Sequence, residues 1–386
     1  MVTADEFSHQ ISSAPAEHVL DLLESALISQ RDFHRLFDAR LIRVRQQLGL
    51  RITQPTSLNG IPSEKETAFR EAYAEAAAQV GQHFLDCGML TDAWAYFRTI
   101  QRPAPVRAAI ERRIAELDSS PGPELDELLN LALYEGAHTV EGIRLLLRTH
   151  GTCNTVTAMS QVIGQMAPDE RRQAAAVMVA HLYKDLQSSV SRDVERREPE
   201  LKAGQSLREL IAGREFLFAD GNYHIDVSHL HSIVGFARHL HREDQELGQA
   251  IEMSLYGQQL SEHLRYPADV PFDDYYRASE YFLKAVAGED VDSALGWFQE
   301  RLEQEPDDTD KRMIAFVLVD LAQRVGRLSQ TLDVAAPWLS RMEDPNGFSF
   351  SAVCVEAGRL DLLEQAGRTN SDLLALATVQ LLKARL

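Results

Sequence analysis

Apolar residues recur at three- and four-residue intervals along nearly the whole chain, which is the pattern of amphipathic helices. The first apolar face consists of Val19, Leu20, Leu23 and Leu27, and a second follows over 33–44. Leu, Ala, Glu, Gln and Arg, which are strong helix formers, dominate the composition. The sequence therefore predicts an all-α protein.

Four stretches interrupt this pattern with proline, glycine or runs of charge: 53–62, 118–124, 191–204 and 265–274. They divide the chain into N-terminal helices (1–118), an irregular helical middle region (122–265) and C-terminal helical hairpins (272–386).

Within the middle region, the spacing predicts helices near 124–135, 139–150, 154–165 and 169–190. Pro168 stands where a proline in the first turn of a helix would be expected. The pattern leaves open whether this region is a separate domain or an irregular part of one continuous helical array.

One segment lacks helical spacing. Residues 214–226 contain two short aromatic-rich runs joined by Asp220-Gly221, a two-residue pair typical of hairpin turns. A small β-hairpin packed on the helices and an irregular loop both fit this segment, because an isolated hairpin is only marginally stable in water.

An internal repeat is indicated by the segment 76–105, which reads as two helices joined by a short turn. Its packing and turn positions are Gly81, Phe84, Gly88, Ala93 and Phe97. The order and spacing of these residues resemble a tetratricopeptide repeat, a helical hairpin of roughly 34 residues. In such a hairpin a glycine supplies the positive φ of the turn, and small and aromatic residues fit together where the helices cross.

A second, weaker copy lies at 278–306, where Ala294, Phe298 and Pro306 match the small, aromatic and terminal-proline positions. The resemblance implies an α-solenoid of stacked antiparallel helical hairpins that binds a protein or peptide on its concave face. It does not extend over 122–265, and its matched positions name no ligand residue. A helical bundle without repeats is the alternative.

The charge balance narrows the range of partners. With 58 acidic and 39 basic side chains the net charge is −19, which disfavours binding to nucleic acid and to anionic membrane surfaces. An acidic concave surface would instead attract a basic peptide. The sequence gives no indication of oligomeric state.

The compartment follows from features that the sequence lacks. The first ten residues are acidic and polar, unlike a signal peptide, and the apolar runs are too short to span a bilayer. The three cysteines lie far apart and form no CxxC pair. We therefore expect a soluble cytoplasmic protein.

Candidate chemistry concentrates in the middle region. His224, Asp226 and His229 provide two imidazoles and a carboxylate within six residues, which suits a transition metal such as zinc, iron or manganese. The alternative is structural: Asp226 would cap a helix, and the histidines would only form hydrogen bonds.

A second candidate is the pair His150 and Cys153, in which an imidazole near a thiol would act as a nucleophile if a third group oriented it. Alternatively, Gly151 ends one helix and Cys153 packs in the core. The absence of common catalytic motifs favours a non-enzymatic scaffold or adaptor. A metal-dependent enzyme or sensor with its site in the middle region is the competing hypothesis.

Overall fold

The computed structural model describes residues 3–117, 122–198, 204–340, 342 and 348–384. Within these ranges the secondary structure is helical throughout, without a β-strand, so the all-α prediction is confirmed. No described helix combines the length and the apolar character needed to cross a membrane. The chain divides into two compact units, Met1–Thr155 and Val156–Leu386, and the boundary falls within the eighth helix.

The α-helices described in the first unit are α1 (Ala4–Ser13), α2 (Val19–Gln30), α3 (Phe33–Gln47), α4 (Ser63–Asp86), α5 (Leu90–Thr99), α6 (Ala104–Glu116), α7 (Pro123–Leu129) and most of α8 (Thr139–Val162). From α2 to α6, each helix packs mainly on the helix that precedes or follows it in the chain. Gly151, with φ of 77°, interrupts α8 between the two helices predicted there.

The packing of α4 on α5 depends on the residues that mark the predicted repeat. A Cβ atom added at Gly81 would lie 2.7 Å from the ring of Phe97, so only glycine allows this close approach. Gly88 adopts a φ of +75° in the turn. Phe84 and Ala93 are buried between the helices. The structural roles expected of these residues are therefore found in the hairpin.

The second unit contains the remaining helices: α9 (Pro168–Arg197), α10 (Leu207–Ile211), α11 (Val227–Ala237), α12 (Glu246–Gln259), α13 (Tyr275–Ala287), α14 (Val291–Gln304), α15 (Asp308–Arg324), α16 (Leu328–Leu339), α17 (Phe350–Glu356), α18 (Leu360–Asn370) and α19 (Leu373–Lys383). The helices after α12 pack mainly on their neighbours in sequence, whereas α10, α11 and α12 all contact α9.

The long helix α9 differs from the sequence prediction at its end. It begins at Pro168, as expected, but it continues to Arg197, so the first half of the charged stretch 191–204 is helical. Val190 and Val194 are fully buried and continue the apolar face to the last turns. Charged residues dominate the composition of this stretch, yet Val194 extends the buried side of α9 into it. Residues 199–203 lie outside the described ranges.

The β-hairpin considered for 214–226 is not found. Residues Glu215–Gly221 form a 3₁₀ helical turn, in which Asp220 (φ 55°) and Gly221 (φ 73°) reverse the chain. Leu217 is fully buried, and Phe218 packs on Tyr256 with 5.1 Å between ring centroids. The Asp-Gly pair therefore makes a turn as expected, but the apolar side chains around it pack on a helix rather than on a second strand.

Candidate functional site

The predicted metal residue His224 lies in a short segment between the 3₁₀ turn and α11. Its side chain is only 6% exposed, and its Nε2 atom lies 3.2 Å from Oδ2 of Asp193 on α9. Its Nδ1 atom lies 3.0 Å from the hydroxyl of Tyr256 on α12, which also accepts a hydrogen bond from the His224 backbone N–H at 2.9 Å. Both ring nitrogens are therefore bonded to protein groups.

The hydrogen bonds around His224 indicate where its proton lies. The Tyr256 hydroxyl has a single proton, and Nδ1 is an acceptor within its reach. Burial raises the pKa of Tyr256 well above its usual range, so the phenol keeps that proton. In the neutral ring, Nε2 then carries the hydrogen and donates it to Asp193. The result is a Tyr–His–Asp chain that ties α9, α12 and the segment between them together.

Asp226 caps α11, as its structural interpretation predicted. Its Oδ1 atom accepts hydrogen bonds from the Ser228 backbone N–H at 2.8 Å and from the Ser228 hydroxyl at 2.6 Å. The hydrogen bond from the Ser228 hydroxyl lowers the pKa of Asp226 below its ordinary value, and those from the backbone N–H groups add a smaller effect in the same direction. The neighbouring His229 donates its backbone N–H to the same oxygen at 3.4 Å.

The predicted metal residues therefore have separate hydrogen-bond partners. His224 is bonded to Asp193 and Tyr256, whereas Asp226 satisfies the backbone at the start of α11. Among the described residues, no three His, Cys, Asp or Glu side chains are grouped so that they could hold a metal ion. Metal binding by His224 would require one of its two hydrogen bonds to break.

His150 and Cys153 lie on the two sides of the interruption in α8 at Gly151. Both residues are exposed, so Cys153 does not pack in the core. The Nδ1 atom of His150 lies 2.8 Å from the hydroxyl of Thr149. The backbone carbonyl of His150 accepts a hydrogen bond from the Asn154 amide at 2.9 Å, which ties the chain across the interruption.

Sequence reasoning did not identify a groove in the first unit. This groove has a volume of about 610 Å³ and lies between the α4–α5 turn, α6 and α7. Its apolar floor is formed by Leu85, Met89, Leu90, Leu128 and Leu131. Met89 stands directly after the turn glycine and is 42% exposed. A large apolar residue following a turn glycine was the local signal that could have pointed to this surface.

Acidic side chains prevail at the rim of the groove. The carboxylates of Asp92, Glu116, Glu124 and Glu127 stand against the guanidinium groups of Arg112 and Arg113. Arg113 is engaged by both Glu116, at 3.2 Å, and Glu124. Glu127 forms no ion pair with any residue in the described part of the chain. The apolar floor is thus bordered by an excess of negative charge.

Comparison with protein-family models, with curated proteins and with solved structures finds no match for this chain. The tetratricopeptide resemblance therefore remains a prediction from the residues that carry it. Inferences about function depend on the groove and the side chains themselves.

Proposed function

We propose that this protein is a scaffold or adaptor built from tetratricopeptide-like helical hairpins, which binds a peptide or protein on a concave acidic surface. The groove beside Gly88 and Met89 is the binding position for an apolar segment of the partner that also carries lysine or arginine. The observation that carries this proposal is the apolar floor of the groove with its surplus of rim carboxylates.

The hairpin interpretation is supported by recurring packing details. In α4 and α5 a glycine lies against an aromatic ring, and Gly88 supplies the left-handed turn. Three further hairpin turns also contain a glycine with positive φ: Gly288, Gly326 and Gly358. Ala294 and Phe298 of the weaker repeat are both fully buried, as the structural positions of a repeat would be. These features agree with a stacked array of hairpins.

Apolar contact would supply most of the affinity, and the rim charges would steer the partner to the groove. Removing apolar surface from water contributes roughly 25 cal/mol per Å². An exposed ion pair contributes about 0–1 kcal/mol and weakens as salt rises. A basic residue beside an apolar side chain would thus be steered to the rim by Asp92 and Glu127 and held by the floor.

A selection of random peptides on the full chain tests this proposal. We expect the selected peptides to combine large apolar residues with lysine or arginine. Met89→Glu should weaken their binding by roughly tenfold or more, because it places a charge on the apolar floor. Glu127→Lys should weaken binding by only a few-fold, and more at low salt, because it reverses one exposed rim charge.

The matched control is Glu71→Lys, which makes the same charge change at an exposed position of α4 outside the groove. This variant should bind the selected peptides like the wild type. Peptides that bind Met89→Glu and the wild type equally, measured by fluorescence anisotropy, would exclude the groove as the binding surface.

A further inference from the structure

A second cavity lies in the second unit, between the last turns of α9 and the segment that leads to His224. Its volume is about 490 Å³, and most of its lining is polar. One wall carries three arginines of α9, and the opposite wall carries backbone and side chains of the 3₁₀ turn and its exit. The arginines are Arg192, Arg196 and Arg197, and the opposing polar residues include Asp220, Asn222 and His224.

The contacts described for these guanidinium groups are with uncharged groups. Arg192 donates to the Ser188 carbonyl at 3.1 Å and to the Ser189 hydroxyl at 3.2 Å, both uncharged groups. The guanidinium of Arg197 lies 4.5 Å over the ring of Phe216. None of the three arginines forms an ion pair with a carboxylate in the described ranges.

Several arginines elsewhere in this acidic chain form ion pairs with carboxylates. Arg214 is bonded to Glu198 at 2.9 Å, and Arg359 is bonded to Asp333 at 2.6 Å and to Asp361 at 2.8 Å. Acidic side chains outnumber basic ones by 58 to 39, so carboxylate partners are plentiful. Three arginines without a carboxylate partner among the described residues therefore make this cavity wall locally positive in an acidic protein.

The two carboxylates of this cavity offset only two of the three positive charges of its arginines. Asp193 is engaged by the His224 imidazole at 3.2 Å and is 20% exposed. The second carboxylate belongs to Asp220, which is exposed at the reversal of the chain. Tyr256 holds His224 from the side opposite to Asp193, so the wall facing the arginines is kept in place by hydrogen bonds.

We propose that this cavity binds a small molecule through a phosphate monoester group. Guanidinium groups form paired hydrogen bonds with phosphate oxygens, and a doubly charged anion is best matched by more than one arginine. Arg192 and Arg196 are four residues apart and so lie on the same face of α9. The cavity is larger than one phosphate group needs, which leaves space for an organic part beside Phe216 and Tyr223.

The arginines also have a structural role, which the test separates from binding. Arg196 and Arg197 stand in the last turn of α9, where positive charge stabilises the C-terminal end of a helix. If this were their only role, substitution would lower the unfolding temperature and no anion would bind in the cavity. Anion affinity of the folded protein is therefore the decisive measurement.

Calorimetric titration of the full chain with inorganic phosphate, phenyl phosphate and succinate, at constant ionic strength, tests the proposal. We expect saturable binding of one phenyl phosphate per chain, with or without binding of inorganic phosphate. Arg192→Gln combined with Arg196→Gln should reduce the affinity at least tenfold. The matched control, Arg98→Gln with Arg148→Gln, removes two exposed arginines of the first unit and should leave the affinity unchanged.

A second variant covers the case in which the double arginine variant does not fold. Ala219→Asp places a carboxylate at the exposed cavity edge and should abolish phosphate binding while leaving α9 intact. Absence of saturable binding by either phosphate probe, binding of succinate alone, or unchanged affinity in these variants would overturn the proposal. The groove of the first unit shares no residue with this cavity, so either proposal can fail alone.

Discussion

Two regions of the second unit bury their apolar surface in different ways. From α9 to α12, the long helix α9 is the common partner of α10, α11 and α12, although these helices come from separate parts of the sequence. From α13 to α19, each helix contacts chiefly the next helix or the one after it. We call the first region the α9 hub and the second the C-terminal array.

This difference in packing determines whether a region can bring together residues that are far apart in the sequence. In an array of neighbour contacts, stability is close to a sum of the stabilities of the helices and of the contacts between neighbours. A hub brings together residues far apart in sequence, at the cost of more loop-closure entropy. The contact of Asp193 with His224, and of His224 with Tyr256, is of this second kind. The arginine-lined cavity accordingly belongs to the hub.

The largest expected effect comes from removing a buried side chain of the hub. Leu182→Ala on α9 should lower the free energy of unfolding by about 2–5 kcal/mol, because this leucine is only 1% exposed and leaves a cavity. Hydrogen exchange followed by mass spectrometry should then accelerate together in α10, α11 and α12, which all rest on α9.

Leu363→Ala on α18 is the matched change in the array, since this leucine is also 1% exposed. Its faster exchange should remain within α18 and the helices that contact it, α16, α17 and α19. If Leu363→Ala accelerated exchange in α10 to α12 as strongly as Leu182→Ala, the distinction between hub and array would be wrong.

We expect low pH to lower the stability of the protein through His239, which lies where the α9 hub meets the C-terminal array. Burial, followed by the charges of Arg171, Arg324 and Arg238, lowers the pKa of His239 to about 4. The unfolded chain, with a His pKa of about 6.5, binds this proton more readily than the folded chain. The stability present above pH 6.5 is therefore lost as the pH falls toward 4, by about 3 kcal/mol at the lower end.

His239→Gln should reduce this acid sensitivity, because glutamine does not titrate. Urea unfolding of both proteins at several pH values between 4 and 7.5 measures the difference. An identical loss of stability with falling pH in the two proteins would mean that His239 is not the responsible group.

The smallest of the three effects concerns the seam between α12 and α13, which joins the hub to the array. A Cβ atom at Gly257 would lie 2.3 Å from the ring of Tyr276, so Gly257→Ala should cost about 1–3 kcal/mol by overpacking. Thermal unfolding should show a lower midpoint.

Gly296→Ala is the control, because we expect it to raise the stability that Gly257→Ala lowers. Gly296 is exposed within α14, and an added Cβ would meet nothing within 4 Å. Alanine there should raise stability by about 0.5–1 kcal/mol through its better helix propensity. A destabilised Gly296→Ala protein would show that the cost at Gly257 does not come from the contact with Tyr276.

Local sequence signals predicted several features that depend only on nearby residues. Apolar spacing predicted the helices, Pro168 marked the start of α9, and Gly88 marked a turn with positive φ. The helix cap that was the alternative role of Asp226 is found in the structure, and its partner Ser228 is only two residues away. Each of these features is decided by hydrogen bonding or sterics within a few positions of the chain.

The errors arose where distant residues decide the outcome. The Asp220-Gly221 pair suggested a hairpin, but Phe218 packs on Tyr256 of α12 instead of on a neighbouring strand. His224 was identified as a candidate, but its partner Tyr256 had no local signal because it is 32 residues away. Asp193 was assigned to a break in the chain, whereas it belongs to α9.

By itself, the sequence determined that this protein is helical, where several of its helices begin and turn, and that its overall charge is acidic. Only the tertiary structure decided which charges lie together: the carboxylates beside Met89 and the arginines opposite His224. The physical reason is that helix formation and capping act over about four residues, whereas a cavity is formed by packing between helices that the sequence does not place side by side.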